Sequence, residues 1–305
     1  MIGYLDIRSF CRRRIRLRRK RLGKMKITVA KSAGFCFGVK RAIDIALASA
    51  ARSKDRVYML GDIVHNENVV KNIERAGIKK TGKLNNPRIG SLLIRAHGSS
   101  KKILQKAEKL GLKIIDATCP MVKEIHKIAI DMDRRGYKII VIGDYKHDEV
   151  QGIVGQIKHK AIVLQGLADI KKKIAKRIEK GAVVVQSTQN LEKVLKMQEA
   201  LRERIDDLQF FNTICSPTRL KQAEIKTLPK ASDCIIIIGS KTSANTKRLY
   251  QIARAINKNS YWINSPDELK KKWFRRVKSV GITAGASTPD ETIHAIKEHI
   301  RKITV

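Results

Sequence analysis

The sequence predicts an α/β protein made of three related units whose strand ends face a common centre. Two observations carry that prediction. Short apolar strands alternate with stretches of helical periodicity, the pattern of parallel sheets covered by helices. One arrangement also recurs three times: an apolar strand, a cysteine opening a helix, a second strand ending in glycine, and a third ending in small or polar residues.

The first copy runs from Ile27-Thr28-Val29-Ala30 into Gly34-Phe35-Cys36-Phe37-Gly38-Val39-Lys40. The second runs from Lys113-Ile114-Ile115-Asp116 into Ala117-Thr118-Cys119-Pro120-Met121-Val122-Lys123. The third runs from Leu208-Gln209-Phe210-Phe211 into Thr213-Ile214-Cys215-Ser216-Pro217-Thr218-Arg219. Each cysteine is followed by a strand that ends in Gly61, Gly143 or Gly239, at spacings of 25, 24 and 24 residues. Four residues past those glycines stand His65, His147 and Ser243. The third strands end at Ala96-His97-Gly98, Gln186-Ser187-Thr188 and Ala284-Gly285-Ala286-Ser287. Helical periodicity is read over Ala168–Lys180 and Asp267–Val277, among other stretches. The apolar strands lack strict alternation, as expected where helices cover both faces. The cysteine register divides the chain into α/β domains at 25–118, 119–214 and 215–305, after a basic segment at 1–24. Three tandem domains with separate loops would also give the repeat. A shared centre with pseudo-threefold symmetry explains in addition why reactive residues recur at the carboxyl ends of the strands, where α/β sheets collect ligands.

Composition narrows the function classes. The chain has 305 residues, 43% hydrophobic and 30% charged, which excludes disordered, collagen-like and disulfide-scaffold classes. The longest apolar run, Cys234 to Ile238, is of strand length, far below the roughly 20 residues of a membrane span. A net charge of +37 attracts anions: nucleic acid, phosphorylated metabolites or an acidic protein partner. Nucleic acid is disfavoured, because aromatics are 5% and no nucleic-acid motif is present. Residues 1–24, with Arg12-Arg13-Arg14 and Arg18-Arg19-Lys20-Arg21, read as a disordered extension or a misassigned start, with organelle targeting or an RNA-binding arm as alternatives. Cys11 in that segment has no assigned role. No apolar stretch of a secretory signal follows the basic residues, so the expected location is the reducing cytoplasm, where disulfides are disfavoured.

The remaining cysteines are core residues, metal ligands or nucleophiles. Cys234 begins an apolar strand and reads as core. Cys36, Cys119 and Cys215 share a register and read as ligands of one metal centre. Zinc takes four N/S ligands, or three with an open position. An iron–sulfur cube usually takes four cysteines, and with three it leaves one iron free of thiolate. His65, His97 and His147 suit anion binding or acid–base work. Ser243, Asn245 and Ser287 stand where helices start, places whose free N–H groups suit phosphate, though plain capping accounts for each alone. Glu149 follows His147 by two and can donate a proton if burial raises its pKa. His126, His159, His294 and His299 read as structural.

Together, Gly34-Phe35-Cys36-Phe37-Gly38-Val39, Val64-His65-Asn66, Ala96-His97-Gly98, Asp116-Ala117-Thr118-Cys119-Pro120, His147-Asp148-Glu149-Val150-Gln151-Gly152 and Thr283-Ala284-Gly285-Ala286-Ser287-Thr288-Pro289-Asp290 resemble the 4-hydroxy-3-methylbut-2-enyl diphosphate reductase (LytB) family, from about residue 26 onward. The resemblance implies a trefoil of three α/β domains around a [4Fe–4S] cluster on Cys36, Cys119 and Cys215. It implies diphosphate binding by His65, His97, Ser243, Asn245 and Ser287, with His147 lining the pocket. Glu149 is implied as proton donor, and Ser187 as the hydroxyl near the substrate alcohol. The implied reaction is the last step of the non-mevalonate isoprenoid pathway, with a ferredoxin or flavodoxin as electron donor. Ser187 stands where the family usually has threonine, and Thr188 could share its role. Ala244 replaces a serine, and residues 1–24 lie outside the family pattern. A basic nucleic-acid-binding protein and a zinc hydrolase on the same Cys/His sites are the competing functions.

Overall fold

A computed structural model describes residues 25–84 and 90–304. The expectations for residues 1–24, Cys11 included, lie outside the described residues. The described strands form three four-stranded sheets in which every pairing is parallel. After β1 (Lys26–Val29) come β2 (Arg56–Leu60), β3 (Lys79–Thr81), β4 (Gly90–Ile94) and β5 (Lys113–Asp116), which make a first sheet of order β3-β2-β4-β5. The second sheet, β7-β6-β8-β9, contains β6 (Lys138–Ile142), β7 (Ile162–Leu164), β8 (Ile178–Val185) and β9 (Ile205–Phe210). The third, β11-β10-β12-β1, contains β10 (Cys234–Ile238), β11 (Ser260–Ile263), β12 (Ser279–Ala284) and the returning β1. The three strand orders are the same motif repeated.

The position of β1 departs from the division at residues 25–118. It pairs with β12, Lys26 against Ser279 through Val29 against Ile282, and so belongs to the third sheet. The cause is burial: Ile27 and Val29 pack with Val280 and Ile282, and β1 covers an edge of β12 that would otherwise expose unpaired backbone. In the third sheet β1 fills the place of β5 in the first and β9 in the second. Each of these three strands ends one sheet, and the helix after its cysteine packs on another. Thus α1 (Phe37–Arg52) buries Ala42 and Ala46 against Val57 and Met59 of the first sheet, beside α2 (Glu67–Arg75). After α3 (Lys101–Lys109), α4 (Pro120–Arg134) buries Ile125, Ala129 and Met132 against Ile139 and Val141 of the second, beside α5 (Asp148–Val154). After α6 (Leu167–Lys173) and α7 (Leu191–Arg202), α8 (Ser216–Thr227) packs Ile225 on Ile235 and Ile237 of the third, beside α9 (Ala244–Ile256). All three cysteines therefore lie at crossings between sheets.

Both faces of each sheet are covered, which explains the unbroken apolar strands. In β10, Ile235 and Ile237 face α8 and α9, while Cys234, Ile236 and Ile238 face α10 (Asp290–Thr304) through Ile293, Ile296 and Ile300. Cys234 is core, as expected, and burial pushes its thiol up to about 12. Two expected helices are shorter than the periodicity suggests. Residues 178–180 already belong to β8, so α6 stops at Lys173, and the stretch read over Asp267–Val277 holds only 3-10 turns at Pro266–Glu268 and Lys271–Phe274.

Polar ties join the units in pairs. Arg95 meets Asp148 at 2.7 Å across the first and second. Arg248 meets Asp144 at 2.6 Å across the second and third. Ser240 donates to Glu67 at 2.6 Å across the third and first. Ile237 is fully buried in the core of the third sheet, and Ile237→Ala is expected to cost about 2–5 kcal/mol. A urea midpoint within error of wild type would contradict that packing.

Candidate active site

Cys36, Cys119 and Cys215 are the N-cap residues of α1, α4 and α8. Backbone N–H groups of Gly38 and Val39 point at the Cys36 sulfur, those of Met121 and Val122 at Cys119, and that of Thr218 at Cys215. A helix N-terminus favours a thiolate. Burial works against it and raises all three thiol pKa values, and each sulfur also feels a neighbour: Cys36 feels Cys215, Cys119 feels Cys36, and Cys215 feels Cys119. Residues 36, 119 and 215 thus converge on one place. Gly38 leaves room there, since a Cβ on it would stand 2.5 Å from the Cys119 sulfur. The spacing also speaks to the ligand. Among the described residues, the one set of three or more His, Cys, Asp or Glu whose ligand atoms all lie within 4.8 Å of one another is His65, His97 and His147. The sulfurs of Cys36, Cys119 and Cys215 therefore do not all lie within 4.8 Å of one another. Three half-buried cysteines at helix N-termini are a donor set that suits an iron–sulfur cluster.

Glu149 lies beside them, in the first turn of α5, and is 1% exposed. Its carboxyl accepts from the Ser187 N–H at 2.6 Å and from the Ser187 hydroxyl at 2.7 Å. Burial raises its pKa and the two Ser187 bonds oppose the rise. Its charge is felt at Cys119 and Cys215. Thr188 does not share this contact; its hydroxyl accepts from Gln186 at 2.9 Å. Two residues earlier, the His147 Nδ1 accepts from the Glu149 N–H at 3.2 Å and caps α5.

The imidazoles of His65, His97 and His147 stand 4.4, 5.1 and 5.4 Å apart, centre to centre. The Ser287 hydroxyl donates to the His65 carbonyl at 3.0 Å. Ser243 caps α9 by accepting from the Thr246 N–H at 3.3 Å, and Asn245 follows in the first turn. The His65 Nε2, the His97 Nδ1 and both amide atoms of Asn245 are buried without a protein partner. Unpaired buried polar atoms are costly, so those on the adjoining rings of His65 and His97 mark a place for a polar ligand, and the Asn245 amide is a further group that needs a partner. An open cavity of about 630 Å³ reaches this group at His147 and Ser243 and carries Lys146, Lys173, Lys241 and Lys247. Ala244 also lines it and offers no side-chain donor.

Several residues play no part in this convergence. His159 pairs with Asp133 at 2.9 Å, and His294 and His299 lie along α10. His126 is buried under Gly98, whose Cβ would meet the ring at 2.8 Å; its positive φ of 76° is one that glycine adopts without strain. Sequence reasoning missed Lys221, buried between the Cys36 loop and the end of β12, because a lysine on a charged helix looks like solvated surface.

Burial holds the imidazoles neutral. It lowers His65, lowers His97 well below the ordinary value, and brings His126 and His147 to about 4. A folded pKa below the unfolded one means stability that is complete above about pH 6.5 and lost as pH falls toward 4. The ligand-free protein should lose up to about 1.4 kcal/mol per pH unit for each such ring over that window. Glu149 acts in the opposite sense, since its raised pKa favours the folded state on acidification. Urea titrations from pH 7 to 4.5 test the sum, and a flat profile would show that the rings are not desolvated.

Comparison with known proteins agrees with this geometry. A family model described as "LytB protein" matches residues 27–301. The 4-hydroxy-3-methylbut-2-enyl diphosphate reductase of Aquifex aeolicus (strain VF5) is 40% identical over 280 residues, covering 91% of this chain and 96% of the relative. The enzyme of the same name from Geotalea uraniireducens (strain Rf4) is 39% identical over 279 residues, covering 92% and 98%. A solved structure of (E)-4-hydroxy-3-methyl-but-2-enyl diphosphate reductase, the terminal enzyme of the non-mevalonate pathway, aligns with a TM-score of 0.67 at 38% identity, over 91% of this chain and 99% of that one. A structure of the E-1-hydroxy-2-methyl-but-2-enyl-4-diphosphate reductase from Plasmodium falciparum aligns with a TM-score of 0.84 at 27% identity, over 92% and 89%. With the match extending across all three sheets and all three cysteine crossings, the chain belongs to the LytB protein family.

Proposed function

We propose that the protein reduces (E)-4-hydroxy-3-methylbut-2-enyl diphosphate to isopentenyl diphosphate and dimethylallyl diphosphate. Each turnover takes up two electrons and two protons and releases one water. The observation that carries this reading is a buried acid, Glu149, fixed by Ser187 beside three converging thiols. When bound to Cys36, Cys119 and Cys215, a [4Fe–4S] cluster supplies one-electron transfer and Lewis acidity.

The chain's own groups supply binding, orientation and a proton. His65, His97, Ser243, Asn245 and Ser287 hold the diphosphate, whose oxygens meet the unpaired atoms of His65, His97 and Asn245. His147 lines the same pocket, and the cavity lysines draw the anion toward it. Glu149, whose pKa burial raises, gives its proton at the substrate hydroxyl so that water leaves rather than hydroxide. Ser187 orients that carboxyl and passes the proton on. The electrons come from a small acidic ferredoxin or flavodoxin, which the basic surface steers. A thiolate-bound cluster needs reducing surroundings, so we assign the enzyme to the cytoplasm.

A zinc hydrolase is the second reading, and the His65–His97–His147 trio favours it, because three imidazoles with an open position are a catalytic zinc set. Metal analysis separates the two. Protein purified without oxygen should hold about four iron and four sulfide per chain, against about one zinc in the alternative. Cys119→Ser should lose iron and activity together, and retention of both would exclude Cys119 as a ligand. Glu149→Gln should keep the iron while turnover falls about 10²–10⁴-fold, the usual contribution of a positioned acid. A near-normal rate in that variant would mean the proton comes from another group.

A further inference from the structure

Lys221 is six residues past Cys215 on α8 and 2% exposed. Its ammonium donates to the carbonyls of Ser32, of Gly34 at 2.9 Å and of Ala284 at 3.3 Å. Ser32 and Gly34 belong to the loop that carries Cys36, and Ala284 ends β12. Three donors meet three acceptors, so none is left for a substrate. Among the described residues, no carboxylate is bonded to it. The charged groups that face it are Cys36, Glu224, Asp290 and Cys215. Burial pulls its pKa down to about 8, which still leaves it charged at neutral pH. A buried ammonium held only by carbonyl dipoles needs nearby negative charge; Cys36 is the strongest such influence on it, followed by Glu224, Asp290 and Cys215.

We propose that Lys221 is a positioning residue with a redox role: its fixed charge beside Cys36 and Cys215 raises the reduction potential of the iron–sulfur cluster those residues hold. This rests on the cluster assignment under Proposed function. One electron from the external donor makes the cluster more negative, and a fixed positive charge in a low-dielectric setting stabilises the reduced form. A purely structural lysine would pin the Cys36 loop to β12 and leave the potential unchanged.

The test is a redox titration of the anaerobically purified holoenzyme, followed by electron paramagnetic resonance. Wild-type iron and sulfide content comes first; protein without iron would overturn the cluster assignment itself. Lys221→Met with full iron should have a midpoint more negative by at least about 59 mV, a tenfold shift in the one-electron equilibrium. Lys221→Arg keeps the charge and should restore the wild-type midpoint. Glu224→Gln removes an opposing charge and should shift the midpoint upward. An unchanged midpoint in Lys221→Met, or an equal drop in Lys221→Arg, would overturn the proposal. If Lys221→Met does not load iron, Lys221→Gln, which keeps donors for the loop carbonyls without the charge, decides: a downward shift supports the role and an unchanged midpoint refutes it.

Discussion

The structure depends on one constraint: each strand that precedes a site cysteine completes one sheet, and the helix that follows packs on the next. β5 closes the first sheet before Cys119, β9 the second before Cys215, and β1 the third before Cys36. The cysteines are therefore held by backbone pairing on one side and by apolar packing on the other. Neither hold belongs to a single unit. The strand ends of all three sheets open onto the same centre, and the ties Arg95–Asp148, Arg248–Asp144 and Ser240–Glu67 fasten its rim.

Electrostatics at that centre runs against the composition. A chain of net charge +37 surrounds groups whose charged forms burial disfavours: the Glu149 carboxyl, whose pKa it raises, and the rings of His65, His97 and His147, whose pKa values it lowers. The surface attracts anions, while the interior offers hydrogen-bonding groups in a setting of low dielectric. Desolvation is the largest cause of each of these shifts, so the chemistry depends on how the units close around it. Lys221 is the exception, a cation kept inside because sulfur and carboxylate lie around it.

Much of this was legible in the sequence. The runs Ile139–Ile142 and Cys234–Ile238 announce strands buried on both faces, and the recurring Cys and Gly positions mark equivalent places in three sheets. The edge strands were not legible. β3 is Lys79-Lys80-Thr81 and carries no apolar residue, so only its pairing with β2 defines it. Helical spacing continues through Ile170, Ile174 and Ile178, but Ile178 pairs with Ile205 and starts a strand. The return of β1 to β12 leaves no local trace, because the partners are more than two hundred residues apart in sequence. At the site, Cys36, Cys119, Cys215, Glu149 and the histidines stood out by register. That Ser187 rather than Thr188 holds Glu149 is settled by a backbone turn that residue types do not encode.

The pairing of β1 with β12 also bears on how the chain matures. The strand made among the earliest has to wait on the ribosome for one made among the last. Such a distant closure is slow to form. The first two sheets can assemble while synthesis continues, but the loop bearing Cys36 has no fixed place until the final strand emerges. The three thiols come together only once that strand is in place, so anything that needs all three at once has to wait for it.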